Sequence, residues 1–202
     1  MIVYVESNFV LEVALEQEQS TSAEAILKLA ESSKIVLTFP GFALSEPFAT
    51  VMHRNKERVE LHNRMTVTLG QLRRSESHKQ TIHDLQPLLL ILKNAVNREF
   101  DLLHLTVARL LRAGTSIDLD SSILEQALNY QEQFGLKPQD SIIYSTVIAD
   151  VQRRASTEAK CFLSRDKEAF STNPGIRSEL AAYNCRYIGS FAQGLDFIQH
   201  AL

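Results

Sequence analysis

The sequence predicts an α/β fold: a three-layer sandwich around a central parallel sheet of about four to five strands, with an inserted α-helical hairpin. Three observations predict it. Short β-branched and aromatic runs lack polar alternation, as in strands covered on both faces. The chain opens strand, helix, strand, the order of a parallel sheet with a crossover helix. Between Ser45 and Arg112 the only prolines are Pro47 and Pro87 and the only glycine is Gly70, so a long helical stretch interrupts the alternation.

Ile2-Val-Tyr-Val5 reads as the first strand. Thr21 and Glu24 form a capping-box pattern ahead of Ala25, Ile26, Leu29 and Ala30, which predicts a helix. Residues 34–39 read as a second buried strand, closed by Pro40-Gly41. Leu61, Met65, Thr68, Leu69 and Leu72 recur at helical spacing, and Leu89, Leu92, Val96, Phe100, Leu103, Val107 and Leu110 do so again. These make the two arms of a hairpin over 53–113, broken near Arg74–Thr81 or at Gln86-Pro87, with Gly114 as the stop. Ser122 and Glu125 repeat the capping box. Pro138 suits the first position of a helix running from Gln139 to about Arg154. Residues 160–164 and 185–189 read as two more strands, and Phe191–Leu202 as a closing helix.

The chain has 202 residues and reads as a single domain, 1–202. Its 45% apolar and 22% charged residues give enough material for a core and argue against disorder. The longest apolar run, Leu88–Leu92, is far short of a membrane span. The N-terminus has no basic stretch ahead of an apolar one, so no signal peptide is read. Cys161 and Cys185 form neither a disulfide framework nor a zinc pattern. The expected setting is cytoplasmic, with no membrane partner.

Four acids stand at the ends of elements. Glu6 follows the first strand, Glu46 the second strand and its turn, Asp140 opens the helix behind Pro138, and Asp166 follows the third strand. Ligands of an open parallel sheet bind outside the carboxyl ends of its strands. Carboxylates gathered there repel and raise one another's pKa. A hard divalent cation, Mg²⁺ or Mn²⁺, removes that repulsion and can activate a water against a phosphate. The alternative is ordinary: Glu46 and Asp140 as first-turn acids favoured by the helix dipole, Glu6 and Asp166 as solvated loop acids.

These residues carry a resemblance. Ile2-Val-Tyr-Val-Glu-Ser-Asn8-Phe-Val-Leu11, Phe42-Ala-Leu-Ser-Glu46, the segment Gly135–Ala149 with Asp140, and Cys161-Phe-Leu-Ser-Arg-Asp166-Lys-Glu-Ala-Phe170 together resemble the PIN domain family of metal-dependent nucleases. The resemblance implies a three-layer fold and hydrolysis of a phosphodiester, most often in RNA. It implies that Glu6, Glu46, Asp140 and Asp166 hold Mg²⁺ or Mn²⁺ and do the catalysis. Asn8 and Ser164 match polar positions that orient the carboxylates; read alone they are an Asn in a strand-to-helix turn and a Ser at a strand end. Arg165 and Glu168, in the same turn as Asp166, read as a solvated charged face. The family's usual first acid is Asp, here Glu6, and small members cross from second to third acid in fewer residues. In small stand-alone bacterial members the resemblance often means a toxin held by an antitoxin.

Residues 53–113 carry a net charge of +5 and the rest of the chain −8. A basic arm beside an acidic pocket could grip RNA through Arg54, Lys56, Arg58, Arg64, Arg73 and Arg74. It could equally be the wet face of amphipathic helices, or the apolar face could pack on an antitoxin, another protein or a second copy in a homodimer. Two competing functions stay open: a PIN-like RNA- or protein-binding module without catalysis, and a metal phosphatase on a doubly wound fold, which the missing Asp-x-Asp after the first strand weakens.

Overall fold

Ile2–Val5 is apolar at every position because both of its faces are covered: all four residues are buried. In the computed structural model, which describes residues 1–155 and 157–202, this strand (β1) lies in the middle of the sheet. The elements after it are α1 Ser7–Ala14, α2 Ser20–Glu31, β2 Val36–Pro40, α3 Ser45–Leu72, α4 Lys79–Ala113, β3 Gly114–Ile117, α5 Ser121–Phe134, α6 Pro138–Arg153, β4 Lys160–Leu163, α7 Pro174–Ala182, β5 Cys185–Ile188 and α8 Phe191–Ala201.

The sheet is wholly parallel, in the order β3-β2-β1-β4-β5. Its two faces divide the strand residues by alternation. Val3, Val5, Leu37, Phe39, Cys161 and Leu163 meet Phe9, Ile26, Leu27, Val51, Leu103 and Phe191 from α1, α2, α3, α4 and α8. Ile2, Tyr4 and Phe162 meet Tyr130, Ile143, Tyr144, Val147, Phe170 and Leu180 from α5, α6, the segment after β4, and α7. Helices thus cover both faces, an arrangement compatible with three layers.

The strand runs read from the sequence are all strands, within two residues at either end. β3 was not foreseen. Gly114 does end a helix, but with an extended φ of −112° rather than a left-handed cap. Its lack of a side chain matters for closeness: a Cβ there would stand 3.0 Å from the Leu110 carbonyl oxygen and from the Phe39 ring, and 3.1 Å from the Leu37 carbonyl oxygen. α1 and α7 were also unforeseen.

Both capping boxes fail. α2 has Gln19 at its N-cap with no side-chain cap, while α5 is capped by Asp120, whose Oδ1 accepts from the Ile123 amide at 2.9 Å. Aspartate two residues before Ser122 outcompetes its hydroxyl. Gln19 instead reaches α8, where its Oε1 accepts from Ser190 Oγ at 2.9 Å, the Phe191 amide at 2.7 Å and the Ala192 amide at 3.2 Å.

The two long arms are α3 and α4, which pack on each other. The break falls at 73–78, and Pro87 lies inside α4. The proline is tolerated because it and His83, whose carbonyl loses its helical partner, are both exposed to water. Asn55 Nδ2 donates to the Val96 carbonyl at 3.1 Å, and Arg58 pairs with Glu99 at 2.5 Å. Among the described residues no helix is long and apolar enough to cross a membrane.

Candidate functional site

The strand order reverses about β1: β2 and β3 lie on one side, β4 and β5 on the other. The crevice at the carboxyl ends of β1 and β4 is therefore the switch point where an open parallel sheet takes a ligand. Glu6 leaves β1 there, and Ser164, Arg165 and Asp166 leave β4.

Glu6 is the N-cap of α1, with φ −131° and ψ −169°. Its Oε2 accepts from the Asn8 amide at 2.9 Å. Its side chain is only 4% exposed with the rest of the residue, and Oε1 is buried with no hydrogen-bond partner. Burial pushes its pKa up, while the donors of Ser7, Asn8 and Ser164 around it pull the other way. A buried carboxylate oxygen without a partner is costly and calls for an explanation.

Ser7 Oγ stands 2.6 Å from Glu6 Oε2 and 2.6 Å from Glu46 Oε2. A hydroxyl has one hydrogen and can donate to one of them at a time. The second oxygen then faces a lone pair, so this meeting point favours an added proton or cation. Glu46 reaches it from the first turn of α3.

Asp140 stands in the first turn of α6, behind Pro138. Its carboxyl is pushed up to about 6, first by burial, then by the charge of Asp166; Lys137 opposes this, and Glu46 and Glu168 add to it. Asp166 caps the wide turn Lys167–Ser171: its Oδ1 accepts from the Ala169 amide at 2.8 Å, and its own amide donates to Ser164 Oγ at 3.0 Å. Ser164 is fully buried. Tyr187 closes the floor, its hydroxyl donating to the Ser164 carbonyl at 2.9 Å; burial and then the charges of Asp166 and Glu6 push that hydroxyl up to about 12.

The four sequence-predicted acids thus lie in one electrostatic neighbourhood, with Ser164 beneath Asp166. Asn8 contributes its amide to Glu6 and lines a cavity of about 790 Å³ with Glu12, Arg165 and Asp166. The donors are all oxygen, which suits a hard divalent cation, and the orphaned Glu6 Oε1 and the raised Asp140 both gain from positive charge. Among the described residues, no three His, Cys, Asp or Glu side chains stand already grouped to hold a metal ion.

Arg165 is not a solvated charge. It pairs with Glu12, which is 1% exposed, and with Glu18 at 3.0 Å, fixing the loop behind Asp166 to α1. Ser7, Tyr187 and this pair escape sequence reasoning. Ser7 lies between two quoted residues, but only the fold brings Glu46 to it.

Of the basic residues on the hairpin, Arg58 is occupied by Glu99. Arg64, Arg73 and Arg74 are exposed on the outer part of the arm. Counting about 1.5 Å per helical residue, Arg64 lies roughly 27 Å along α3 from Glu46. Arg54 and Lys56 lie nearer the site. No family model matches the chain, and no curated protein or solved structure shows significant similarity to it.

Proposed function

We propose that the chain is a Mg²⁺/Mn²⁺-dependent nuclease of the PIN type, hydrolysing phosphodiester bonds in RNA. The observation that supports the reading is the contact of Glu6 and Glu46 through Ser7 at the sheet's switch point, with the charges of Asp166 and Glu46 felt by Asp140 and a buried carboxylate oxygen of Glu6 left without a partner. Mutually repelling carboxylates at a ligand crevice are expensive to keep, and a cation removes the expense.

In this reading Glu6, Glu46, Asp140 and Asp166 hold the cation. When bound, it would lower the pKa of a water and neutralise charge growing on the phosphate. The protein's own part is placement. Ser7 ties Glu6 to Glu46. Ser164 and the Ala169 amide fix Asp166. Asp140, whose carboxyl burial and the charge of Asp166 push up to about 6, is the acid placed to accept a proton from an attacking water. Asn8 faces the adjoining cavity, where its amide side chain can meet a phosphate oxygen.

The test is cleavage of labelled single-stranded RNA with Mn²⁺ by the native chain and by Asp140→Asn. Loss of cutting in the variant and with chelator supports the nuclease. A folded native chain that cuts nothing with either metal rejects it. One observation favours a second reading, a binding module without catalysis: Glu6 replaces the family's usual Asp and already serves as the cap of α1.

A further inference from the structure

Beside the turn that carries Asp166 lies a groove that the mechanism above does not use. It runs along the outer side of β5 between α7 and α8. Two cavities, of about 550 and 530 Å³, follow one another there and share Arg177, Arg186, Tyr187 and Phe197. The first reaches Lys160 and Asn184 at the start of the strands, and the second reaches Gly189 at their carboxyl ends.

The groove sets two arginines beside aromatic rings. Arg177 and Arg186 are exposed, and among the described residues neither forms an ion pair. The Arg186 guanidinium lies 5.4 Å from the centre of the Phe197 ring. His200 lines the second cavity, and the one carboxylate of the two linings is Asp196. Arg109, Arg98, Arg58 and Arg165 are engaged by carboxylates, whereas Arg54, Arg64, Arg73 and Arg74 share with this pair the lack of an ion pair among the described residues but line none of the cavities described. Arg177 donates to the Ser171 carbonyl oxygen, which holds it over the groove without neutralising its charge. Guanidiniums without a carboxylate partner beside aromatic rings are the elements that hold a single nucleic-acid strand, phosphates on the cations and bases on the rings.

The groove abuts the turn that Asp166 caps: Ser171, at the end of that turn, lines the second cavity. Tyr187 lines both cavities, and its hydroxyl bonds to the carbonyl oxygens of Ser164 and Asp166. We infer that the β5 groove is the track of a single-stranded RNA whose phosphates pair with Arg177 and Arg186 on the way to the carboxylates. This rests on the nuclease reading for its substrate class. β5 is also an open edge, to which an extended peptide could add as a strand. It is only four residues long, so a ladder there would be short, and a peptide gives no reason for the groove to end beside the Asp166 turn.

The test uses the full chain carrying Asp140→Asn, so that bound RNA stays intact, and labelled oligouridine followed by fluorescence anisotropy over a salt series with Mg²⁺. Arg177→Glu and Arg186→Glu should each weaken binding about tenfold. Each should also lower the slope of log affinity against log salt by about one. Both side chains are exposed, and circular dichroism checks that the variants fold. Unchanged affinity and slope in the double variant overturn the track, and so does absence of oligouridine binding. Binding of an alternating Glu–Val peptide that both reversals abolish, with RNA binding untouched, overturns it in favour of strand addition. RNA held through both arginines by a chain whose native form never cuts supports the track while rejecting the nuclease.

Discussion

Asp140→Asn should make the protein more stable while ending its response to metal. The Asp140 carboxyl is pushed from 3.8 up to about 6. The folded chain therefore binds that proton more tightly than the unfolded chain does. For an acid raised in this way, the folded state loses stability as pH climbs from about 4 to about 6, and the loss is complete above that. The full gap corresponds to about 3 kcal/mol. Asp140 is only partly buried, and solvent screening reduces this to about 1–1.5 kcal/mol. Asparagine carries no charge to be repelled, so at pH 7.5 the variant should melt about 2–6 °C above the native chain. At pH 4 the two should nearly coincide. Adding Mn²⁺ should raise the native melting temperature, by the equivalent of about 2.7 kcal/mol at a hundredfold excess over its dissociation constant, and leave the variant almost unmoved. Differential scanning calorimetry at the two pH values, with and without Mn²⁺, measures all of this. A variant that melts at or below the native chain at pH 7.5 refutes the repulsion argument. A gap of the same size at pH 4 refutes its assignment to this carboxyl.

Three further outcomes follow from the same geometry. Ser7→Ala removes the hydroxyl between Glu6 and Glu46 and should cost about 1–3 kcal/mol in urea unfolding at neutral pH; a neutral result would mean that the carboxylates do not depend on it. Arg165→Met strands Glu12 as a buried charge and should cost about 3 kcal/mol, most of it recovered by adding Glu12→Gln; equal instability of the single and double variants would contradict this. Arg58→Glu should loosen the α3–α4 contact, and Arg58→Glu with Glu99→Arg should restore it, as followed by amide hydrogen exchange in the two helices; unrestored exchange would show that the pair contributes nothing.

Much of the sheet was legible because buried parallel strands write themselves as unbroken apolar runs: Ile2–Val5 and Lys160–Leu163 are buried throughout. β3 was hidden because Gly114-Thr-Ser-Ile117 is an edge strand with two exposed residues, too polar to differ from a loop. The cap positions failed because hydroxyl-x-x-Glu patterns are common, and the deciding partner was Asp120 in one case and a distant helix in the other. The four acids were legible from position, since strand ends and helix starts are local features. The contact of Glu6 with Glu46 through Ser7 was not, because it depends on where α3 begins relative to β1. Nor was the burial of Glu12: its helix had to be oriented before its pairing with Arg165 could be seen.

The strand at the middle of the sheet is the first to be made. During synthesis Ile2–Val5 can pair with Val36–Pro40 early, but its other edge waits for Lys160–Leu163. At ordinary translation speeds that interval is on the order of ten seconds. Throughout it, a fully apolar strand has one edge open and one face lacking α6. The nascent chain is therefore an aggregation hazard of its own making: the helices made in the meantime, α1 to α4, cover the opposite face of the strand, and the face that α6 will cover stays open until α6 is made.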